Sequence, residues 1–197
     1  MSEVSDLHAA LVAIPSVNPS GRLVEAPEEG EERIARFIHD WLVARGIETH
    51  TQEVMPGRAN VVARVPGRVE PPIVFEGHMD TVSIEGMTVA PFEPRLEGGR
   101  VYGRGACDAK GCLAAMMVAL ARVAEGEPPP RSVVLCAAVD EEYLHSGARR
   151  FLQDSGPVAA AVIGEPTLLR VVVAHKGALR LRVTTFGVSA HSSAPER

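Results

Sequence analysis

Three polar clusters in this sequence each follow a run of apolar residues, and they carry the side chains that bind cations or move protons. Pro72 to Glu76 runs into Gly77-His78-Met79-Asp80, Val133 to Val139 into Asp140-Glu141-Glu142, and Val158 to Ile163 into Gly164-Glu165-Pro166. In an open α/β sheet the loops at the carboxyl ends of the strands face one crevice. Imidazole and carboxylate groups from three separate segments would therefore meet. His78 and Asp80 lie two apart, which in extended backbone puts both side chains on one face. The carboxylate could then accept the second N–H of a metal-bound imidazole and raise its basicity. Adjacent Glu141 and Glu142 could divide two tasks, one ligating a cation and the other taking a proton from water.

Each motif has an ordinary alternative when taken alone. A histidine near a strand end is commonly a satisfied structural group, an acid pair is commonly a solvated turn, and Glu165 before Pro166 could be a surface turn. Asp108, after Gly103-Arg104-Gly105-Ala106-Cys107, either caps its own helix or points across the crevice to bridge two cations. The glycines before it also suggest a phosphate loop. However, neither G-x-x-x-x-G-K-[ST] nor a full G-x-G-x-x-G is present.

The elements that must position these groups follow from apolar spacing. Leu7, Ala10, Leu11 and Ile14 predict a short helix over Val4 to Ala13, ended by Pro15. Ile34, Phe37, Ile38, Trp41 and Leu42 form a stripe predicting a helix from about Glu28 to Arg45, with acids in its first turn and Gly46 at its end. Strands are expected over Ile47 to Met55, Asn60 to Val65 and Pro72 to Glu76, and residues 80 to 105 read as irregular. Asp108 to Ala124 has helical spacing, Arg131 to Val139 reads as a strand buried on both faces, and Ser146 to Gln153 as a helix. Further strands are expected at Val158 to Ile163, Leu168 to His175 and Ala178 to Phe186. The fold class implied is α/β, with a mixed, mostly parallel sheet flanked by helices.

Composition narrows the function classes. The 197 residues carry a net charge of −5, 46% are hydrophobic, and no basic cluster makes a track for nucleic acid. No apolar stretch has the length of a membrane span. The first residues lack a basic, apolar leader pattern, so the expected location is cytoplasmic. Cys107, Cys112 and Cys136 form no C-x-x-C pair and read as buried free thiols.

Taken in order, Gly77-His78-Met79-Asp80-Thr81-Val82, Gly103-Arg104-Gly105-Ala106-Cys107-Asp108-Ala109-Lys110-Gly111, Asp140-Glu141-Glu142 and Gly164-Glu165-Pro166-Thr167 resemble the signature blocks of one family. That family is the two-metal hydrolases that include acetylornithine deacetylase, succinyl-diaminopimelate desuccinylase, aminoacylase and carboxypeptidase G. Ser16-Val17-Asn18-Pro19 is similar to its amino-terminal loop.

The resemblance implies His78 as a ligand of one metal, Asp108 as the bridge, Glu142 as a ligand of the second, and Glu165 as a ligand on the first or second. It further implies Asp80 as the support of His78, and Glu141 as the catalytic base in amide hydrolysis. Two divalent ions are implied, zinc by preference and cobalt or manganese as alternatives. The substrate implied is a small N-acyl amino acid or peptide of amino-acid biosynthesis, with no nucleic-acid or membrane partner.

Residues 1–174 would be the catalytic domain and residues 175–197 the start of an inserted α+β lid. His191 in the lid resembles the histidine that reaches a partner subunit's site in dimeric members and stabilises the oxyanion. Family members are about twice this length, so the rest of the lid, returning strands and a last histidine ligand are expected beyond residue 197, with a homodimer expected for the longer form. The alternatives are a dipeptidase or carboxypeptidase of the same family, and an inactive fragment or binding module.

Overall fold

A computed structural model describes residues 2–174 and, beyond them, residues 176, 177, 179, 181, 183, 184, 186, 187 and 193. The chain divides into two units, Met1–Pro166 and Thr167–Arg197. The first holds every helix and strand assigned among the described residues: α1 (Glu3–Val12), α2 (Glu32–Val43), β1 (Glu48–Met55), β2 (Arg58–Val65), β3 (Ile73–His78), β4 (Arg95–Glu97), β5 (Arg100–Tyr102), α3 (Lys110–Ala124), β6 (Val133–Ala138), α4 (Ser146–Asp154) and β7 (Ala160–Ile163).

The main sheet has the order β1-β2-β6-β3-β7. β1 and β2 are antiparallel, as are β2 and β6, whereas β3 is parallel to both β6 and β7. β2 thus runs against the other strands, and the sheet is mixed but mostly parallel, as the alternating pattern implied. Period-two alternation along β6 distributes its side chains to two cores. Val133, Leu135 and Ala137 join Leu11, Ile34, Ile38, Leu113 and Met117 beneath α1, α2 and α3. Val134, Cys136 and Ala138 join Val62, Val74 and Phe151 on the face that carries α4. Burial on both sides explains why this strand reads as an unbroken apolar run.

Several expectations are corrected. The helix expected from Glu28 begins only at Glu32. Upstream, Val17 and Glu29 form a β-bridge, which takes the chain out of helical geometry. Gly46, with φ of 70°, lets the chain turn away after α2. The stretch read as irregular contains the hairpin β4–β5, turned by Gly98 and Gly99, whose φ values of 57° and 74° suit a tight β-turn. No strand begins at Leu168: Leu168 and Leu169 have φ of 54° and 60°, which is incompatible with extended backbone. None is assigned among the described residues after Ile163. No helix among the described residues is long and apolar enough to cross a membrane.

Candidate metal centre

The centre lies at the carboxyl ends of three neighbouring parallel strands. β3 ends on His78, β6 leads into Asp140-Glu141-Glu142, and β7 leads into Gly164-Glu165. The register aligns His78 with Ala138 and Glu76 with Ile163, so the three polar segments leave the sheet side by side. The chain leaves β7 close against α3. A Cβ on Gly164 would come within 2.9 Å of the Cys112 Cβ and 3.1 Å of the Met116 Cε, so a larger residue would push the Glu165 segment off the helix.

His78 is the hub. Its side chain is only 1% exposed, and Nε2 lies 3.1 Å from Asp108 Oδ1, 3.7 Å from Glu165 Oε1 and 4.0 Å from Glu141 Oε2. Two sets of ligand atoms, His78–Asp108–Glu165 and His78–Glu141–Glu142, each lie within 4.8 Å of one another. The structure therefore brings together His78, Asp108, Glu141, Glu142 and Glu165, which is the set singled out from the sequence apart from Asp80 and His191.

Asp108 does not cap α3. The helix starts at Lys110 with Ala109 at the cap position, and the Asp108 carboxylate accepts from His78 instead. The Asp108–Ala109 peptide is cis. His191 lies outside the described residues.

Asp80 supports His78 differently from the sequence expectation. The acceptor 2.9 Å from His78 Nδ1 is the Asp80 backbone carbonyl, while the nearer carboxylate oxygen is 3.6 Å away. Met79 and Asp80 lie beyond the end of β3, so the same-face geometry of a strand does not apply to the pair. The Asp80 carboxylate is occupied elsewhere: it accepts from Asn18 Nδ2 at 2.6 Å and from the backbone N–H groups of Glu141 and Glu142 at 3.1 and 3.0 Å. It therefore fixes the Glu141–Glu142 turn as well as neighbouring His78.

The electrostatics are those of acids crowded around one imidazole. Burial alone would lower the His78 pKa, but the hydrogen-bonded Asp108 and neighbouring Asp80, with the charge of Glu141, raise it to about 11. The hydrogen bond to His78 holds Asp108 below the ordinary carboxylate range. Burial raises Asp80, but His78, Asn18 and the Glu142 N–H outweigh it and leave it low. Burial pushes Glu142 up to about 7, helped by repulsion from Asp108, Asp80 and Glu141, and it raises Glu165 in the same way. Nitrogen and oxygen donors converging from separate segments around one imidazole are suited to a divalent metal. The residues present fit such an ion on chemical grounds.

Some participants were missed by the sequence reading. Glu76, two residues before His78 on the same strand, is raised to about 7, chiefly by burial; the i, i+2 spacing was the available signal. His145 Nδ1 lies 3.2 Å from Glu141 Oε1. Lys110 is fully buried, donates from Nζ to the Ile14 carbonyl at 2.7 Å, and has its pKa lowered to about 7, mainly by desolvation. Beneath the centre, Arg58 donates through Nε and Nη2 to Glu31 at 2.6 and 2.5 Å, and Nη2 also reaches Asp140 at 3.3 Å. Burial pushes the Glu31 carboxyl upward while the guanidinium opposes it. The two-pronged contact is that of an ionised pair.

The model of peptidase family M20/M25/M40 matches residues 74–195. A probable succinyl-diaminopimelate desuccinylase of Staphylococcus aureus (strain Mu50 / ATCC 700699) is 32% identical over 179 residues, covering 87% of this chain and 44% of that protein. A Staphylococcus epidermidis protein of the same description is 33% identical over the same shares. The chain thus spans less than half the length of these relatives.

Among solved structures, an M20 family metallo-carboxypeptidase from Sulfolobus solfataricus matches with a TM-score of 0.67 at 19% identity, over 83% of this chain and 37% of that one. Human carnosine dipeptidase 1 gives 0.66 at 21% identity, over 82% and 38%. A Bacillus subtilis protein described as a dinuclear metal-binding M20 peptidase gives 0.55 at 21% identity, over 81% and 41%. These likenesses establish the catalytic-domain fold. The family model spans the segments that carry His78, Asp108, Glu141, Glu142 and Glu165, and the chain belongs to peptidase family M20/M25/M40.

Proposed function

We propose that residues 1–174 form the metal-binding part of a hydrolase that cleaves the amide of an N-acyl amino acid, and that residues 175–197 begin a lid. The observation that carries this reading is the meeting of His78 Nε2 with carboxylates from three separate segments. His78, Asp108 and Glu165 would hold one divalent cation, and Asp108 and Glu142 the second, with zinc the preferred ion and cobalt or manganese alternatives. When bound, such a pair supplies Lewis acidity toward a carbonyl oxygen and a nucleophilic water at neutral pH.

The chain's own groups supply the rest. Glu141 takes the proton of the attacking water and returns it to the departing nitrogen as the C–N bond breaks; the acid formed gives its proton to the amine, so the products are a carboxylate and an ammonium. His145, beside Glu141 Oε1, fixes the orientation of that carboxylate. Asp80 holds the turn through the Glu141 and Glu142 amides. In a homodimer of the longer protein, located in the cytoplasm, His191 would reach the partner's site and steady the oxyanion.

The similarity to desuccinylases favours succinylated or acetylated amino acids. The peptidase family itself supports a second reading, a dipeptidase or carboxypeptidase. The test is a metal count on purified protein supplied with zinc, cobalt or manganese, beside a hydrolysis screen of N-succinyl and N-acetyl amino acids against dipeptides. Glu141→Gln should retain metal and lower turnover by about 10²- to 10⁴-fold. Protein that takes up no divalent ion would sink the proposal, and turnover confined to dipeptides would favour the second reading. Bound metal without turnover of any substrate would leave a binding module.

A further inference from the structure

The turn that carries Glu141 and Glu142 begins at Asp140, whose φ of 63° is left-handed. An aspartate tolerates this conformation better than most residues but still adopts it at a cost. Within the turn, the Asp140 carbonyl accepts from the Leu144 and His145 N–H groups at 3.3 and 2.7 Å, and the bonds to its N–H and side chain come from beyond those residues. Its N–H donates to Glu31 Oε1 at 3.1 Å, before α2. Its Oδ1 accepts from Asn18 Nδ2 at 3.1 Å and Arg58 Nη2 at 3.3 Å, and its Oδ2 from Ser146 Oγ at 2.5 Å. Asn18 is shared between Asp140 and Asp80, the residue that receives the Glu141 and Glu142 amides. Glu31, Arg58, Asn18, Asp80 and Asp140 are all buried.

We propose that Arg58, clamped by Glu31, is a positioning residue that holds Asp140 in its left-handed conformation and thereby aims Glu141 and Glu142 into the centre. Three geometric facts argue for aiming beyond simple support. Arg58 bonds Glu31 and Asp140 at the same time, so one guanidinium joins the segment before α2 to the turn after β6. Glu31 uses the same oxygen, Oε1, to receive both Arg58 and the Asp140 N–H, so displacing the fork disturbs the backbone bond too. A reversed φ at Asp140 would redirect the two residues that follow it. Lysine, with one point charge on a flexible stem, cannot reproduce a fork that meets both carboxylates.

The consequence for metal rests on the function proposed above, so the experiment reads the turn and the metal separately. The variants are Glu31→Gln/Arg58→Met, which removes both members of the forked pair together and leaves the Asp140 carboxylate with only its neutral side-chain donors Asn18 and Ser146, and Asp140→Asn, which keeps the side chain's size. Hydrogen exchange of the chelated full chain should quicken at the amides of 140, 141 and 142 by about tenfold or more, while amides paired between β2 and β6 stay within about twofold. Cobalt titration followed by its visible absorption should weaken about tenfold or more in the same variants, with unchanged stoichiometry at saturation. Arg58→Lys should not restore either readout.

Exchange that is unchanged at 140–142, or that quickens equally along β2 and β6, overturns the positioning role. Full rescue by Arg58→Lys overturns the requirement for the fork. If the unaltered chain takes up no cobalt, the metal reading fails, and the exchange experiment still decides what holds the turn. Selective quickening with unaltered cobalt affinity overturns the link from turn to centre.

Discussion

Two acidic clusters lie next to each other in this molecule and differ in what their oxygens receive. In the lower cluster, Glu31, Asp80 and Asp140 are buried, and their carboxylates accept from Arg58, Asn18, Ser146 and the backbone N–H groups of residues 140, 141 and 142. In the upper cluster, Asp108, Glu141 and Glu165 are partly exposed, at 54%, 31% and 36%, and they crowd around a single imidazole. Buried carboxylates supplied with donors are finished structure. Carboxylates that, among the described residues, crowd one imidazole with few other donors keep capacity for a cation. Acid count alone does not distinguish the clusters, whereas donor count does.

The largest effect that would sharpen this contrast is Arg58→Met alone. Leaving Glu31 buried and unpaired should cost about 3–5 kcal/mol of stability, read by urea unfolding of the chelated protein. A loss below about 1 kcal/mol would mean that the lower cluster is not held together as described. The opposite sign is expected above: Glu165→Gln should leave the chelated protein no less stable, because burial and the neighbouring acids already disfavour its charge. The same change should remove most of the stabilisation given by zinc, about 2.7 kcal/mol at a hundredfold excess over the dissociation constant. If Glu165→Gln destabilises the chelated protein as Arg58→Met does, the two clusters are alike and the comparison fails.

A smaller effect is pH-dependent. Glu142 has its folded pKa raised from 4.5 to about 7, so between these values the folded state binds more protons than the unfolded state. Stability from this group therefore falls as pH rises from about 4.5 to 7. Thermal melts of the chelated protein across that window should show a shallower fall in Glu142→Gln than in the unaltered chain. Identical slopes would remove Glu142 as a contributor. Smallest of all, Ser146→Ala deletes the hydroxyl that donates to Asp140 Oδ2 and should cost about 1 kcal/mol, with the metal stoichiometry kept.

The upper cluster was far more legible from sequence than the lower one, for a physical reason. His78, Glu141, Glu142 and Glu165 each stand just past an apolar strand, so strand periodicity and sheet topology suffice to bring them together. The lower cluster is built across the fold: Arg58 meets Glu31 across 27 residues and Asp140 across 82, and Asp140 meets Glu31 across 109. No local spacing encodes those contacts. Glu31 falls among the acids of a helix's first turn, and nothing in the spacing around Arg58 marks it out. The role of Asp80 was half legible, since its nearness to His78 follows from spacing, but its bonds to the 141 and 142 amides need the tertiary structure. The β4–β5 hairpin was missed because three-residue strands leave almost no periodicity to detect.

The order of strands across the sheet also gives the proposed ligands unequal lifetimes. Among the described residues, β3 and β6 are each flanked on both sides, whereas β7 pairs with β3 alone and its four residues are exposed. Edge segments with few buried contacts open first in native-state fluctuations. Glu165 follows β7 directly, so brief fraying of that margin would withdraw one carboxylate while His78 and the Glu141–Glu142 turn stay in place. In the 197-residue chain Glu165 is thus the fastest-moving arm of the proposed centre, and tightening the β7 margin should slow loss of an added cation to a chelator more than it alters the rate of uptake.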